Sequence, residues 1–329
     1  MNRYPLGQTG PWVSRIGLGL MGMSGMYGPT DRRTGIATIH AALDAGINLL
    51  DTGDFYGMGH NELLLGEALQ GRRREDVIIS VKFGSLRAPS GEFIGYDARP
   101  VAVKNFLAYS LQRLGVDYID IYRPARLDPL VPIEDTVGAI ADMVKAGYVR
   151  HIGLSEVGAH TLRRAQSVHP ITDLQIEYSL MSRGIESEIL PTARELGVAI
   201  TAYGVLSRGL LSGHWTDRPG DIRRMMPRFQ GENLHRNLEF VDALRQVANE
   251  KGVSVAQISI AWVLSRGTDI IPLIGARRPD QLSETLKALQ ITLTEDEVTR
   301  IETAVPIGAV AGTRYAAAQM EQLDSERPM

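Results

Sequence analysis

The sequence predicts a single (β/α)8 barrel, and three observations lead there. Short apolar runs alternate strictly with longer segments of helical periodicity, the order that builds a parallel sheet. The runs are apolar throughout rather than at every second residue, as strands buried on both faces must be. Eight such units in about 290 residues fit a closed barrel better than an open sheet whose edges need cover. A doubly wound open sheet is the competing arrangement at this level.

The units read in order along the chain. Residues 15–20 (RIGLGL) form a first strand that ends in glycines. Residues 31–45 follow with apolar positions at Ile36, Ile39, Ala42 and Leu43, which is helical spacing, and Gly46 stops the helix. The second unit is a strand at 47–51 (INLLD) and a helix at 61–69 capped by Asn61. The third is 77–82 (VIISVK) with a helix at 101–114. The fourth is 118–123 (YIDIYR) with a helix at 133–146, and the fifth 149–154 (VRHIGL) with a helix at 159–168. The sixth is 173–177 (DLQIE) with a helix at 186–196, and the seventh 198–203 (VAITAY). A long polar loop then spans 211–236 before helices at 238–251 and 255–266. The eighth unit is 269–274 (DIIPLI) with a helix at 279–289. Residues 3–13 predict a small hairpin turning at Gly7-Gln8-Thr9-Gly10, placed to plug the N-terminal end of the barrel. No linker divides the chain, so residues 1–329 read as one domain.

Composition narrows the function. The 329 residues carry a net charge of −3 with both signs scattered, so nothing marks a nucleic-acid partner. There is no cysteine, which excludes disulfides, thiolate metal sites and a cysteine nucleophile. The seven histidines show no metal spacing. Neither a signal peptide nor an apolar run long enough to span a membrane is visible, and a cytoplasmic enzyme is the expectation.

Barrel enzymes work at the C-terminal ends of their strands. Those ends supply Met21 and Gly22, Asp51 with Tyr56 in its loop, Lys82, Arg123 to Arg126, Ser155-Glu156, Gln175, Tyr203, and Gly275 to Arg278. Asp51, Tyr56 and Lys82 form a coherent set. A free phenol is too weakly acidic to shuttle protons at neutral pH, an adjacent ammonium favours the phenolate, and the aspartate holds the lysine charged. Such a tyrosine can protonate a carbonyl oxygen while hydride reaches the carbon.

Beyond these residues the sequence resembles the aldo-keto reductase family along nearly its whole length. Residues 48–57 (NLLDTGDFYG), Val81-Lys82, 152–157 (IGLSEV), 175–179 (QIEYS), 202–213 (AYGVLSRGLLSG) and 271–285 (IPLIGARRPDQLSET) are similar to family segments in the family's order. The resemblance implies a (β/α)8 barrel that reduces aldehydes or ketones with a nicotinamide cofactor. It implies Tyr56 as proton donor, tuned by Lys82 and Asp51. Ser155 and Gln175 would hold the carboxamide, and Tyr203 would stack on the nicotinamide. Gly204, Leu206, Arg208 and Gly209 would wrap the pyrophosphate, while Gly275, Arg277, Gln281 and Glu284 would hold the adenosine end. Gly22 would let backbone approach the nicotinamide. Arg277 and Arg278 suit a 2′-phosphate, which favours NADP(H) over NAD(H). Where the family often has asparagine the chain has Thr285.

One departure stands out. The family usually carries histidine five residues after the aspartate of the fourth strand; here the aspartate is Asp120 and the fifth residue on is Ala125. Three readings follow. Water or Arg123, which shares strand parity with residue 125, supplies the hydrogen bond to the carbonyl; or the enzyme is slow on ordinary aldehydes and specialised; or the chain is an NADP(H)-binding regulatory or accessory protein with little turnover. Met21, Met26, Tyr27, Phe83 and Trp215 are candidate pocket walls, with Arg123 as the substrate-facing cation. Residues 310–315 (VAGTRY) are expected to fold over the barrel mouth, bringing Arg314 and Tyr315 to cofactor or substrate.

Overall fold

The computed structural model describes residues 1–25, 28, 30–215 and 221–327. Eight parallel strands close into a barrel: β3 (Gly17–Gly19), β4 (Leu49–Gly53), β5 (Ile78–Phe83), β8 (Ile119–Pro124), β9 (Val149–Ser155), β10 (Ile171–Glu177), β11 (Ala199–Tyr203) and β12 (Ile270–Gly275). Each strand pairs with its successor, and β12 returns to β3 in the register Leu273↔Gly17. The strands are buried on both faces, as their apolar runs require.

The hairpin forms as expected from β1 (Arg3–Pro5) and β2 (Trp12–Ser14), paired antiparallel. It presents Leu6 and Val13 to Leu49, Ile78, Ile121, Ala199 and Ile271, which close the lower end of the barrel. Gly7 lies at φ +68, and a Cβ there would stand 2.3 Å from the Thr172 carbonyl oxygen, so this turn accepts only glycine.

The expected helices surround the barrel, with differences at several ends. Asp31 caps α1 (Arg32–Asp44) by accepting from the Thr34 N–H. Asn61 does not cap α2 (His60–Ala68); Gly59 occupies that position. The Asn61 side chain is instead buried, accepting from Thr52 Oγ1 at 2.6 Å and donating to the Leu20 carbonyl and Ser24 Oγ, so it ties the loops after β3 and β4 together. The expected sixth helix splits into a 3-10 turn at Gly184–Glu186 and α6 (Ile189–Glu195). Part of the expected polar loop is ordered as 3-10 turns at Ser207–Ser212, Ile222–Met225 and Pro227–Phe229, and the helix expected from residue 238 starts earlier, as α7 (Gly231–Glu250). A two-stranded hairpin, β6 (Ser85–Arg87) with β7 (Phe93–Tyr96), stands after β5. A further helix, α10 (Glu295–Ala304), opens on a Thr294–Glu297 capping box. Among the described residues no helix is long and apolar enough to cross a membrane.

Strand alternation stacks the inward side chains in layers. Above the apolar floor lies a polar layer from β5, β8, β10 and β11: Ser80, Arg123, Asp173 and Thr201. Above that, at the strands' C-terminal ends, stand Lys82, Ser155, Gln175 and Tyr203, with Asp51 bridging the two levels.

Candidate active site

Asp51 is the hub of the site. Its Oδ2 accepts from Lys82 Nζ at 2.5 Å, and its Oδ1 accepts from Ser80 Oγ at 2.9 Å and Gln175 Nε2 at 2.8 Å. Lys82 and Asp51 are both about nineteen-twentieths buried, with side-chain exposures of 5% and 6%. Burial pulls the lysine below its usual range, and Asp51 opposes that pull. Tyr56 follows β4 in a tight turn, 7% exposed, and Lys82 Nζ lies 5.2 Å from its ring centre. The structure therefore brings the three sequence-chosen residues together.

Gln175 donates its amide to Asp51, which fixes its orientation and leaves its carbonyl oxygen as the acceptor for a ligand amide. Ser155 is buried at the end of β9. Tyr203 at the end of β11 donates to Glu156 Oε1 at 2.6 Å and contacts the Tyr315 hydroxyl at 2.9 Å. Burial and then Glu156 push its phenol well above the ordinary range, so it stays protonated.

Two of the expected substrate residues lie elsewhere. Arg123 is fully buried one layer below the mouth, 2.9 Å from Asp173 Oδ2 and bonded to Ser80 and Thr201. Its depth removes it from substrate. Phe83 follows Lys82 and so points outward; it is fully buried and stacks on Tyr122 at 4.3 Å. Met26 and Tyr27 lie outside the described residues. Trp215 packs on Phe229, with the Arg223 guanidinium over its ring.

The tail folds over the mouth. Arg314 reaches Glu156 Oε2 at 2.5 Å and Glu177 Oε2 at 3.5 Å. Burial opposes ionisation of Glu156, yet Arg314 holds its carboxyl far below the usual range. Arg208 donates to the Arg314 carbonyl and lies 4.1 Å from the Tyr315 ring, while Arg228 reaches Glu177 at 3.4 Å. The sequence reading placed Arg126 and Glu156 at strand ends without giving them a role, and it passed over Glu177, the last residue of β10, and Arg228. Three guanidiniums, those of Arg208, Arg228 and Arg314, pair with the carboxylates of Glu156, Glu177 and Glu326, and the Arg126 guanidinium feels the charge of Glu156.

The adenosine-end candidates gather at the start of α9 (Pro279–Leu286). Gln281 accepts from the Arg277 N–H at 3.0 Å, and Glu284 accepts from Gln257 Nε2 at 3.0 Å. Arg278 forms an exposed pair with Asp280, and Thr285 turns its hydroxyl to the Gln281 carbonyl. Gly275 faces open space at the end of β12, and Gly204 and Gly209 take positive φ after β11. Gly22 lies in the 3-10 turn Met21–Ser24, and Leu206 precedes the one at Ser207–Ser212.

The Aldo/keto reductase family model matches residues 15–306. The chain belongs to the aldo/keto reductase family. A curated relative in Glycine max, described as probable aldo-keto reductase 1, is 40% identical over 94% of this chain and 90% of its own. Among solved structures, the glycerol dehydrogenase AKR11B4 from Gluconobacter oxydans superposes with a TM-score of 0.82 at 30% identity, covering 97% of this chain and 94% of that one. The holo form of aldo-keto reductase AKR11C1 from Bacillus halodurans gives 0.77 at 28% identity, covering 93% and 96%. This aldo-keto reductase is thus an oxidoreductase of the carbonyl-reducing class, a class that uses nicotinamide cofactors.

Proposed function

We propose that the chain reduces aldehydes or ketones to alcohols with NADPH, using Tyr56 as proton donor. The observation that carries this reading is the Asp51–Lys82 pair at 2.5 Å beside the Tyr56 ring. The donor set fits the cofactor: the Arg208 guanidinium suits its phosphates, and Gln175 keeps an oriented carbonyl oxygen for its carboxamide. Ser155, Gln175 and Tyr203 would hold the nicotinamide end. Gly22, Gly204, Leu206, Arg208 and Gly209 would line the middle, and Gly275, Arg277, Gln281 and Glu284 the adenosine end, with Arg277 on the 2′-phosphate.

Bound NADPH supplies a hydride, two electrons with the hydrogen, to the carbonyl carbon. Tyr56 gives its hydroxyl proton to the carbonyl oxygen, so the C=O π bond becomes C–H and O–H. The phenolate left on Tyr56 is stabilised by the Lys82 ammonium and regains a proton from solvent. Asp51 keeps that ammonium charged and aimed. The substrate is a small neutral carbonyl compound, and the location that best suits a cysteine-free enzyme is the cytoplasm.

The test is the absorbance of NADPH at 340 nm with purified protein and an activated aldehyde such as 4-nitrobenzaldehyde. Steady oxidation with alcohol product is the expected result. Tight NADPH binding without turnover across a carbonyl panel contradicts it and favours an accessory protein.

A further inference from the structure

The family resemblance puts a hydrogen-bond donor where this chain has Ala125, and the side chain beside it carries donors. Ala125 is 2% exposed, directly beyond β8, and its N–H is spent on the Phe83 carbonyl at 2.8 Å. Its methyl offers no hydrogen bond. Arg123 is locked to Asp173, Ser80 and Thr201 below.

Arg126 is placed differently. It lies past the last residue of β8, so strand alternation no longer dictates its direction. Its guanidinium folds back over Ala125, donating to the Ala125 carbonyl at 2.6 Å. From there it spans the mouth between Ser155 Oγ at 3.4 Å and the Tyr315 hydroxyl at 3.3 Å. Its charge is felt at Tyr96 and at Lys82. Glu156, the carboxylate whose charge it feels, is taken by Arg314 at 2.5 Å and by Ser325 at 2.7 Å. Among the described residues Arg126 thus has no carboxylate within ion-pair distance. A half-buried cation with no carboxylate in direct contact, at a mouth where an oxygen gains negative charge in the reaction, can stabilise that oxygen.

Resting on the function proposed above, we infer that Arg126 is a catalytic residue that hydrogen-bonds the substrate carbonyl oxygen, and that its planar fork selects 1,2-dicarbonyl substrates such as 2-oxo esters. Two parallel N–H groups match two neighbouring oxygens, which a single imidazole N–H cannot do. Burial opposes charge on Arg126, but its neighbours, the Glu156 carboxylate among them, keep it protonated. It therefore donates a hydrogen bond and never the proton, which still comes from Tyr56.

The experiment compares wild type, Arg126→Met, Arg126→Lys and the double variant Arg126→Met/Ala125→His, all full length. The readouts are kcat and KM for methyl benzoylformate and 4-nitrobenzaldehyde, and the NADPH dissociation constant by fluorescence. Arg126→Met is expected to lower kcat/KM for the oxo ester by roughly 100-fold, mostly in kcat, and for the aldehyde by about 10-fold. NADPH affinity should stay within about twofold of wild type. Arg126→Lys should keep aldehyde reduction and lose the preference for the oxo ester, which tests the fork even if the methionine variant folds poorly. The histidine in the double variant should restore the aldehyde rate but not the preference. Unchanged kcat/KM in Arg126→Met, an unchanged preference in Arg126→Lys, or a loss accounted for wholly by weaker NADPH binding overturns the assignment. If wild type turns over and only these arginine effects are missing, the inference fails alone. If wild type binds NADPH and reduces neither compound, the proposed function fails with it.

Discussion

Arg123 and Asp173 meet at 2.9 Å inside the barrel with both side chains wholly shielded from solvent. Through Ser80, which accepts from Arg123 and donates to Asp51, the pair is linked to the layer of Asp51 and Lys82 above it. Burial raises the Asp173 carboxyl and Arg123 opposes the rise. Arg123 Nε and Asp173 Oδ1 have no hydrogen-bond partner, so the pair is a poor source of net stability but a costly one to break. Arg123→Met should destabilise the fold by about 3–5 kcal/mol, because it strands a buried carboxylate. Arg123→Met/Asp173→Leu should recover much of the loss. Urea midpoints check both, and a single variant as stable as wild type contradicts the account.

Gly153 packs against this pair. A Cβ there would stand 2.6 Å from Asp173 Oδ1 and 3.1 Å from Arg123 Cζ. Neither group can yield while the ion pair is kept. Gly153→Ala should destabilise by about 1–3 kcal/mol, read as a lower thermal midpoint. A neutral result would show that the polar layer is soft.

The depth of Arg123 shows where sequence reading stops. Alternation put residues 123 and 125 on one side of the sheet, and the structure turns Arg123 into the barrel interior. Alternation carries no information on height along the barrel axis, which depends on strand tilt and on partners such as Asp173, fifty residues away. The eight strands were legible because burial on both faces writes itself as a continuous apolar run. The β6–β7 hairpin was not, since its residues are half-exposed and short. Asn61 read as a helix cap because its type suits one; its role in joining two loops depends on Thr52 and Leu20, which periodicity cannot bring together. The proximity of Asp51, Tyr56 and Lys82 was legible because proton transfer calls for particular residue types at strand ends. The Glu156–Arg314 pair joins residues far apart in the chain and only the folded tail reveals it.

Asp54, two residues before Tyr56, is buried, and its carboxyl is pushed up to about 7, first by desolvation and then by Glu62. The folded state therefore holds a proton between the ordinary value of 3.8 and about 7 that the unfolded chain has lost. This group makes stability fall as pH rises through that window, by up to about 1.4 kcal/mol per pH unit, and adds no further change above it. Asp54→Asn should remove that component and be the more stable form at pH 8. Denaturation curves from pH 4 to 8 for both proteins check this; an identical pH dependence would contradict it.

Arg277 is the proposed partner of the 2′-phosphate. Arg277→Ala should weaken NADPH binding by about tenfold or more while leaving NADH nearly unchanged. Dissociation constants for both cofactors decide it. Equal weakening of the two would place Arg277 elsewhere on the cofactor or on the protein alone.

Arg314 neutralises a buried Glu156, so Arg314→Met should release the tail as well as lower stability. Limited proteolysis should cut the variant within residues 306–327 while wild type resists. Equal resistance would mean that the tail is held by other contacts.

The account as a whole depends on a phenol that gives up its proton while hydride arrives, and single-turnover kinetics of Tyr56→Phe test this most directly. With NADPH and 4-nitrobenzaldehyde at saturation, the variant should bind cofactor normally and lose at least 100-fold in the rate of NADPH oxidation. A rate close to wild type, with cofactor affinity intact, would mean that another group supplies the proton.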